Sequence, residues 1–160
     1  MTNRLIIGST GSGKTRGLQL LIDVHAADPT TAVWAITPTP ELAGADRHVT
    51  PDGAEQLLTE LLAEADKRLA RGHEHTPTPD EPRIRLVVDQ VDHIHEQLGS
   101  SAPLGHLLRR LVVTGRRAAV DTVLTASTTH LDTWPDGLRQ HFDQHGSTET
   151  LPDRRQTDED

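Results

Sequence analysis

The feature that most constrains this chain is a glycine-rich octapeptide near its amino terminus. It reads Gly8-Ser9-Thr10-Gly11-Ser12-Gly13-Lys14-Thr15, which is the spacing of a phosphate-binding P-loop. Glycine adopts positive φ angles readily, so successive backbone N–H groups can point into one concavity that suits phosphate oxygens. Such a loop lies between a strand and a helix. Residues 4–7, a short strand that ends in three apolar residues, and the helical pattern of residues 14–27 supply both.

The residues of the octapeptide predict a nucleotide site, for which all eight are candidate ligands. Lys14 offers a point charge to the β- and γ-phosphates, and Thr15 offers a hydroxyl to Mg²⁺. Lys14 is one of only two lysines in the chain, the other being Lys67. The alternative, a glycine-rich turn without a ligand, is disfavoured because the flanking strand and helix are both present. The expected cofactors are therefore ATP and Mg²⁺.

Strand and helix patterns alternate along the chain. The sequence predicts buried strands at residues 4–7, 32–36, 84–88 and 120–127, and helices at residues 14–27, 51–71, 104–118 and 136–142. This alternation is typical of a parallel sheet covered on both faces. The predicted fold class is α/β, a P-loop NTPase of the RecA-like (ASCE) type with a doubly wound sheet of about four strands.

Composition limits the remaining classes of protein. The 160 residues suit one core, predicted at residues 1–142 and followed by an acidic tail without regular structure at 143–160. The chain has no cysteine, which excludes disulfides and thiolate metal sites. No segment approaches the roughly 20 apolar residues of a membrane span. We therefore expect a cytoplasmic protein.

A second acidic site is expected at the end of a buried strand. Asp89 directly follows the apolar residues 86–88, and a carboxylate there is the usual partner of a P-loop in holding Mg²⁺. A turn or helix-cap acid is the alternative for this residue. Asp92, three residues later, is interpreted as the cap of a short helix that follows.

These motifs occur in the order found in a known family. The chain resembles the FtsK/SpoIIIE and HerA group of hexameric DNA-translocating ATPases, including plasmid-transfer relatives, over about residues 4–142. The resemblance is carried by "GSTGSGKT", "RLVVDQVD", "GRRAAVDTVLTAS" and "DGLRQHF". It implies ATP hydrolysis, double-stranded DNA as a partner, and action as a homo-oligomer or beside a larger translocase.

Three departures from the family pattern bear on catalysis and assembly. Gln90 stands where the family places a glutamate that activates water, and an amide cannot accept the proton. Ser127 stands where the family has a glutamine that senses the γ-phosphate. The family's terminal strands are missing, which is expected to leave the P-loop strand at or near a sheet edge that a partner chain or self-association would cover. Lys14, Gln90 and Ser127 are the candidate catalytic residues.

Other interpretations remain open or are set aside. A regulatory or structural module that binds nucleotide without turnover is the main alternative, and a small-molecule kinase is a weaker one because no acceptor site is recognisable.

The basic residues Arg109, Arg110, Arg116 and Arg117 are either a DNA-facing surface, a finger for a neighbour's nucleotide, or a solvated helix face. The histidine pairs 73/75 and 93/95 are interpreted as surface rather than as a metal site. A serine-hydrolase triad is rejected because no G-x-S-x-G elbow occurs.

Overall fold

The computed structural model describes residues 3–38, 42–99, 102–127 and 138–152. The strands are β1 (Asn3–Ile7), β2 (Thr31–Ile36), β3 (Arg47–Val49), β4 (Arg83–Val88), β5 (Val120–Ala126) and β6 (Gly146–Thr150). The helices are α1 (Lys14–Ala26), α2 (Ala54–Leu69), α3 (Val91–Leu98), α4 (Leu104–Thr114) and α5 (Leu138–His145). Short 3₁₀ segments precede α2 at Pro51–Gly53 and follow α4 at Gly115–Ala118.

The strands form one parallel sheet in the order β3-β2-β4-β5-β1-β6. Side chains alternate between its faces. Leu5 and Leu86 join a core cluster with α2, α3, α4 and α5, whereas Ile6 and Val87 pack under α1. The predicted doubly wound α/β fold is therefore confirmed, and the carboxyl ends of β1, β4 and β5 meet at one edge where the candidate site lies.

Among the described residues the sheet has six strands rather than about four. The additional strands are β3, which has three residues, and β6, whose residues 147–150 are all exposed. Neither carries an apolar run, so backbone pairing with a neighbouring strand rather than side-chain burial defines them.

The predicted irregular tail is wrong for residues 146–150. Helix α5 spans the predicted boundary at residue 143, and β6 pairs with β1 from Asn3–Gly146 to Ile7–Thr150. The P-loop strand lies near a sheet edge, as expected, but β6 of the same chain covers it where a partner chain or self-association was expected to do so. Residues 136–137 of the predicted helix and 153–160 of the predicted tail lie outside the described residues.

Within the described ranges, no helix is long and apolar enough to cross a lipid bilayer.

Candidate functional site

The loop between β1 and α1 has the conformation that its glycines predict. Gly11 and Gly13 have φ angles of 85° and 92°, values that residues with a Cβ rarely adopt. Gly8 is closely packed instead, because an added Cβ would lie 2.6 Å from the Oγ of Ser12, which would have to move. The backbone N–H of Gly8 also donates to the carbonyl of Ala126, which ties the loop to the end of β5.

Lys14 folds back over this loop. Its Nζ donates to the carbonyl oxygens of Gly8 and Ser9, the latter at 2.8 Å, and the residue is 7% exposed. Burial lowers the pKa of the ammonium, while the negative charges of Asp89 and Asp92 act in the opposite direction. A phosphate at this loop would compete with the two carbonyl oxygens for the Lys14 ammonium, which is largely shielded from water.

Two further groups in the loop fit a phosphate. The hydroxyl oxygens of Ser9 and Ser12 are buried and have no hydrogen-bond partner among the described residues. Buried hydroxyls normally find a partner, so phosphate oxygens would satisfy donors that the protein leaves unused. A cleft of about 190 Å³ adjoins Lys14 between α1 and the β1–β6 pair.

The predicted metal residues are brought together. Thr15, at the start of α1, donates its hydroxyl to Oδ2 of Asp89 at 3.0 Å. Asp89 follows β4, is 2% exposed, and is held through its backbone N–H by the carbonyl of Ile36. A hydroxyl and a carboxylate are ligands that Mg²⁺ prefers, so this pair fits the cation that a P-loop uses.

Sequence reasoning missed Thr125, which lies at the centre of this arrangement. Its hydroxyl donates to Oδ1 of Asp89 at 2.5 Å and accepts the backbone N–H of Gln90 at 2.8 Å. Thr125 is fully buried in β5, next to β4 in the sheet. Its only signal in the sequence was a hydroxyl within an otherwise mostly apolar strand.

The two residues that depart from the family pattern differ in placement. Gln90 follows Asp89 directly and has a left-handed backbone with φ 56°, a conformation unusual for a residue with a side chain. Ser127 follows the last residue of β5 and is exposed. Their catalytic roles stay predictions.

Asp92 does not cap the helix that follows it. The cap position of α3 is Gln90, which makes no side-chain capping bond. Asp92 instead lies in the first turn of α3 and accepts the backbone N–H of Ser127 at 2.9 Å through Oδ2. The carboxylate therefore joins α3 to the end of β5.

The histidine pairs are dispersed. His73 is exposed, whereas His75 is buried and its Nε2 lies 3.0 Å from the carbonyl oxygen of Glu81. His93 and His95 are both in α3. Over the residues described by the structure, no group of three or more histidine, aspartate or glutamate side chains could hold a metal ion.

The four arginines lie on the outer side of α4 and the 3₁₀ segment after it, and all are exposed. Arg110 pairs with Asp66 of α2 at 2.6 Å, with both side chains about half exposed. An exposed pair of this kind contributes little stability. The arginines are not brought to the P-loop by any contact that the described residues make.

Comparison with known proteins identifies the fold. No protein-family profile and no curated protein sequence matches the chain. Among solved structures, it is similar to ATPases 2 and 3 of EccC from Thermomonospora curvata in complex with a signal sequence peptide (16% identity, TM-score 0.69), with 89% of this chain and 28% of that chain covered. It is also similar to a protein described as an ATPase (16% identity, TM-score 0.71), with 98% and 68% covered.

A third similar structure is the pCW3 conjugation coupling protein TcpA in its monomer form with ATPγS (16% identity, TM-score 0.64), with 88% of this chain and 47% of that chain covered. The chain has the P-loop NTPase fold. At these identities the likeness concerns the fold alone, and the chain spans less than a third of the EccC structure that it matches. The P-loop fold places Gly8–Thr15, Asp89 and the end of β5 at one edge of the sheet.

Proposed function

We propose that this chain binds Mg²⁺-ATP at Gly8–Thr15 and Asp89 and acts as the core of a motor-type ATPase. The observation that carries the proposal is the hydrogen bond from Thr15 to Asp89, which joins the P-loop to the acid after β4 at 3.0 Å. Thr15 and Asp89 would hold Mg²⁺. The cation, when bound, neutralises charge on the β- and γ-phosphates.

The protein's own groups account for phosphate binding. The first-turn N–H groups of α1 and the loop amides point donors at an anion, and Lys14 adds a full positive charge. Ser9 and Ser12 supply hydroxyls without other partners among the described residues. These groups position the phosphates and neutralise their charge, which is the main contribution a protein makes to phosphoryl transfer.

The process that ATP would drive is inferred from the resemblance to the FtsK/HerA family. The FtsK/HerA-like order of motifs favours translocation of double-stranded DNA in the cytoplasm, by an oligomer or by this chain beside a larger partner. The chain shares its fold with the conjugation coupling protein TcpA, whose structure was determined with ATPγS, and this supports nucleotide binding. Whether the chain translocates DNA depends on the chemistry of its site rather than on its fold.

A regulatory module that binds ATP with little or no hydrolysis is the second candidate. Gln90 favours it, because an amide directly after the metal acid cannot take a proton from water. Ser127 also favours it, since a short exposed side chain stands where the family has a glutamine.

Calorimetric titration with Mg²⁺-ATP tests the proposal. Lys14→Ala should weaken binding by more than tenfold, because the loop loses its only full positive charge. Lys67→Ala is the matched control, since the chain's other lysine is 66% exposed in α2 and its loss should leave the affinity unchanged. Equal affinity of the wild type and Lys14→Ala would refute a P-loop site.

Phosphate release with and without duplex DNA separates the two candidates. Release that duplex DNA stimulates, and that Lys14→Ala abolishes, supports the motor. ATP binding with no release in either condition supports the regulatory module.

A further inference from the structure

The strongest unassigned feature of the site is one oxygen of Asp92. The residue is 5% exposed, and its Oδ2 accepts the backbone N–H of Ser127. Its Oδ1 is buried and has no hydrogen-bond partner among the described residues. A buried carboxylate oxygen without a partner is costly, so a group that donates a hydrogen bond to it would be bound favourably.

This oxygen belongs to a carboxylate beside the P-loop. Ser127, which bonds Asp92, directly follows Ala126, whose carbonyl accepts the N–H of Gly8. Two consecutive residues at the end of β5 thus join Asp92 to the first residue of the loop. The negative charge of Asp92 also acts on the Lys14 ammonium, as does that of Asp89.

The oxygens of Asp89 already accept hydrogen bonds within the protein, and the side chain of Gln90 cannot accept a proton. Both oxygens of Asp89 accept hydroxyl hydrogen bonds, one from Thr15 and one from Thr125. The Gln90 side chain ends in a neutral amide, which can orient water but cannot accept its proton. Among the described residues, Asp92 is the other carboxylate whose charge acts on Lys14.

We propose that Asp92 is the catalytic base of this site and that its Oδ1 holds the attacking water. The water oxygen forms a bond to the γ-phosphorus, and the bond from that phosphorus to the bridging oxygen breaks with its electron pair retained by ADP. One water proton passes to Asp92 Oδ1 and leaves from there to solvent. The inference rests on the proposed ATP site and assigns turnover to a residue other than Gln90.

Asp92→Asn tests the assignment, because the amide oxygen can still accept the Ser127 N–H while the carboxylate is lost. Phosphate release should fall at least 100-fold, the usual effect of losing a general base. The Kd for Mg²⁺-ATP should change by less than about threefold, since Asp92 is not among the groups proposed to hold the nucleotide. The Tm measures the structural cost of the substitution, because the amide NH₂ would occupy the position of Oδ1, which has no hydrogen-bond partner among the described residues. Asp52→Asn, an exposed acid in a 3₁₀ turn, is the control and should leave all three measurements unchanged.

The double variant Asp92→Asn with Gln90→Glu guards against a folding artefact. If Asp92→Asn lost only a base, a carboxylate at position 90 should make the double variant release phosphate at least tenfold faster than Asp92→Asn does. If Asp92 were merely structural, Gln90→Glu would not restore phosphate release in the double variant.

Several results would overturn the inference. Undiminished phosphate release by Asp92→Asn would do so, and so would a wild type that binds Mg²⁺-ATP but releases no phosphate with or without DNA. In both of those cases the proposed ATP site still stands. Failure of the wild type to bind Mg²⁺-ATP at all would remove the proposed function and this inference together.

Discussion

At the scale of the residue, Thr125 is the hydroxyl on which the acidic side of the site depends. Thr125→Val keeps the shape of the side chain but removes the donor to Asp89 and the acceptor for the Gln90 N–H. Both partners lie in a buried or half-buried position, where a lost hydrogen bond costs about 1–3 kcal/mol. We therefore expect the free energy of unfolding, measured in urea, to fall by about that amount.

Thr122→Val is the matched control for that prediction. Thr122 lies in the same strand and is equally buried, but its hydroxyl has no hydrogen-bond partner among the described residues. Removing an unused buried hydroxyl should leave stability unchanged or raise it. If the two variants lost the same free energy, the bonds of Thr125 would not be the source of its effect.

The same residues show how far the sequence predicts the site. The P-loop and Asp89 are predictable because each follows an apolar strand at the spacing that phosphate and metal chemistry require. Thr125 and the Ser127 bond of Asp92 are not, since both contacts join residues about 35 apart along the chain. Such contacts depend on β4 and β5 being neighbours in the sheet.

At the scale of the element, the sequence predicts strands only where burial shapes their composition. The strands β1, β4 and β5 are mostly buried and rich in Val, Ile and Leu, and β2 (TAVWAI) is apolar after its first residue. The sequence of β6, "GSTET", has no apolar residue, so periodicity cannot reveal it. Backbone pairing with β1 and one exposed ion pair between Arg4 and Glu149 hold it in place.

Gly146→Ala tests that pairing. A Cβ at this position would lie 2.5 Å from the backbone carbonyl oxygen of Asn3, so the first residues of β6 would have to move away from β1. We expect the free energy of unfolding to fall by about 1–3 kcal/mol, the usual cost of overpacking. An uncovered β1 edge should also increase self-association, which light scattering would detect.

Ser147→Ala supplies the comparison for this element. Its side chain is exposed beside Arg4 in the sheet register, so its removal should change stability by less than about 0.5 kcal/mol. If Gly146→Ala had the same free energy of unfolding as Ser147→Ala and showed no more self-association, β6 would not protect the P-loop strand.

At the scale of the whole molecule, stability should depend on pH through a charged cluster beneath α1. Arg85 and Asp121 form a buried ion pair at 3.1 Å between β4 and β5. His25 of α1 is also buried, and the charges of both residues act on it. Burial lowers the pKa of His25, and the charge of Arg85 lowers it further, against smaller opposing effects of Asp28 and Asp121. The folded protein therefore holds His25 in its neutral form below the pH at which an unfolded histidine gains a proton.

The difference between the folded and unfolded pKa of His25 determines how stability changes with pH. Because the folded pKa lies below the unfolded value of about 6.5, the unfolded chain binds the additional proton. The contribution of His25 to stability is complete above about pH 6.5 and is lost as the pH falls toward the folded pKa. The loss can reach about 1.4 kcal/mol per pH unit for one group. Urea unfolding between pH 5 and pH 8 should show this fall in the wild type and a shallower one in His25→Gln.

His73→Gln provides the control, since His73 is exposed and its removal should leave the pH dependence of the wild type intact. The decisive quantity is the slope against pH rather than stability at one pH, because His25→Gln also alters packing beneath α1. Parallel curves for the wild type and His25→Gln would contradict the prediction. A shallower curve for His25→Gln alone would locate the acid sensitivity of the fold under α1, away from the edge of the sheet that carries the P-loop.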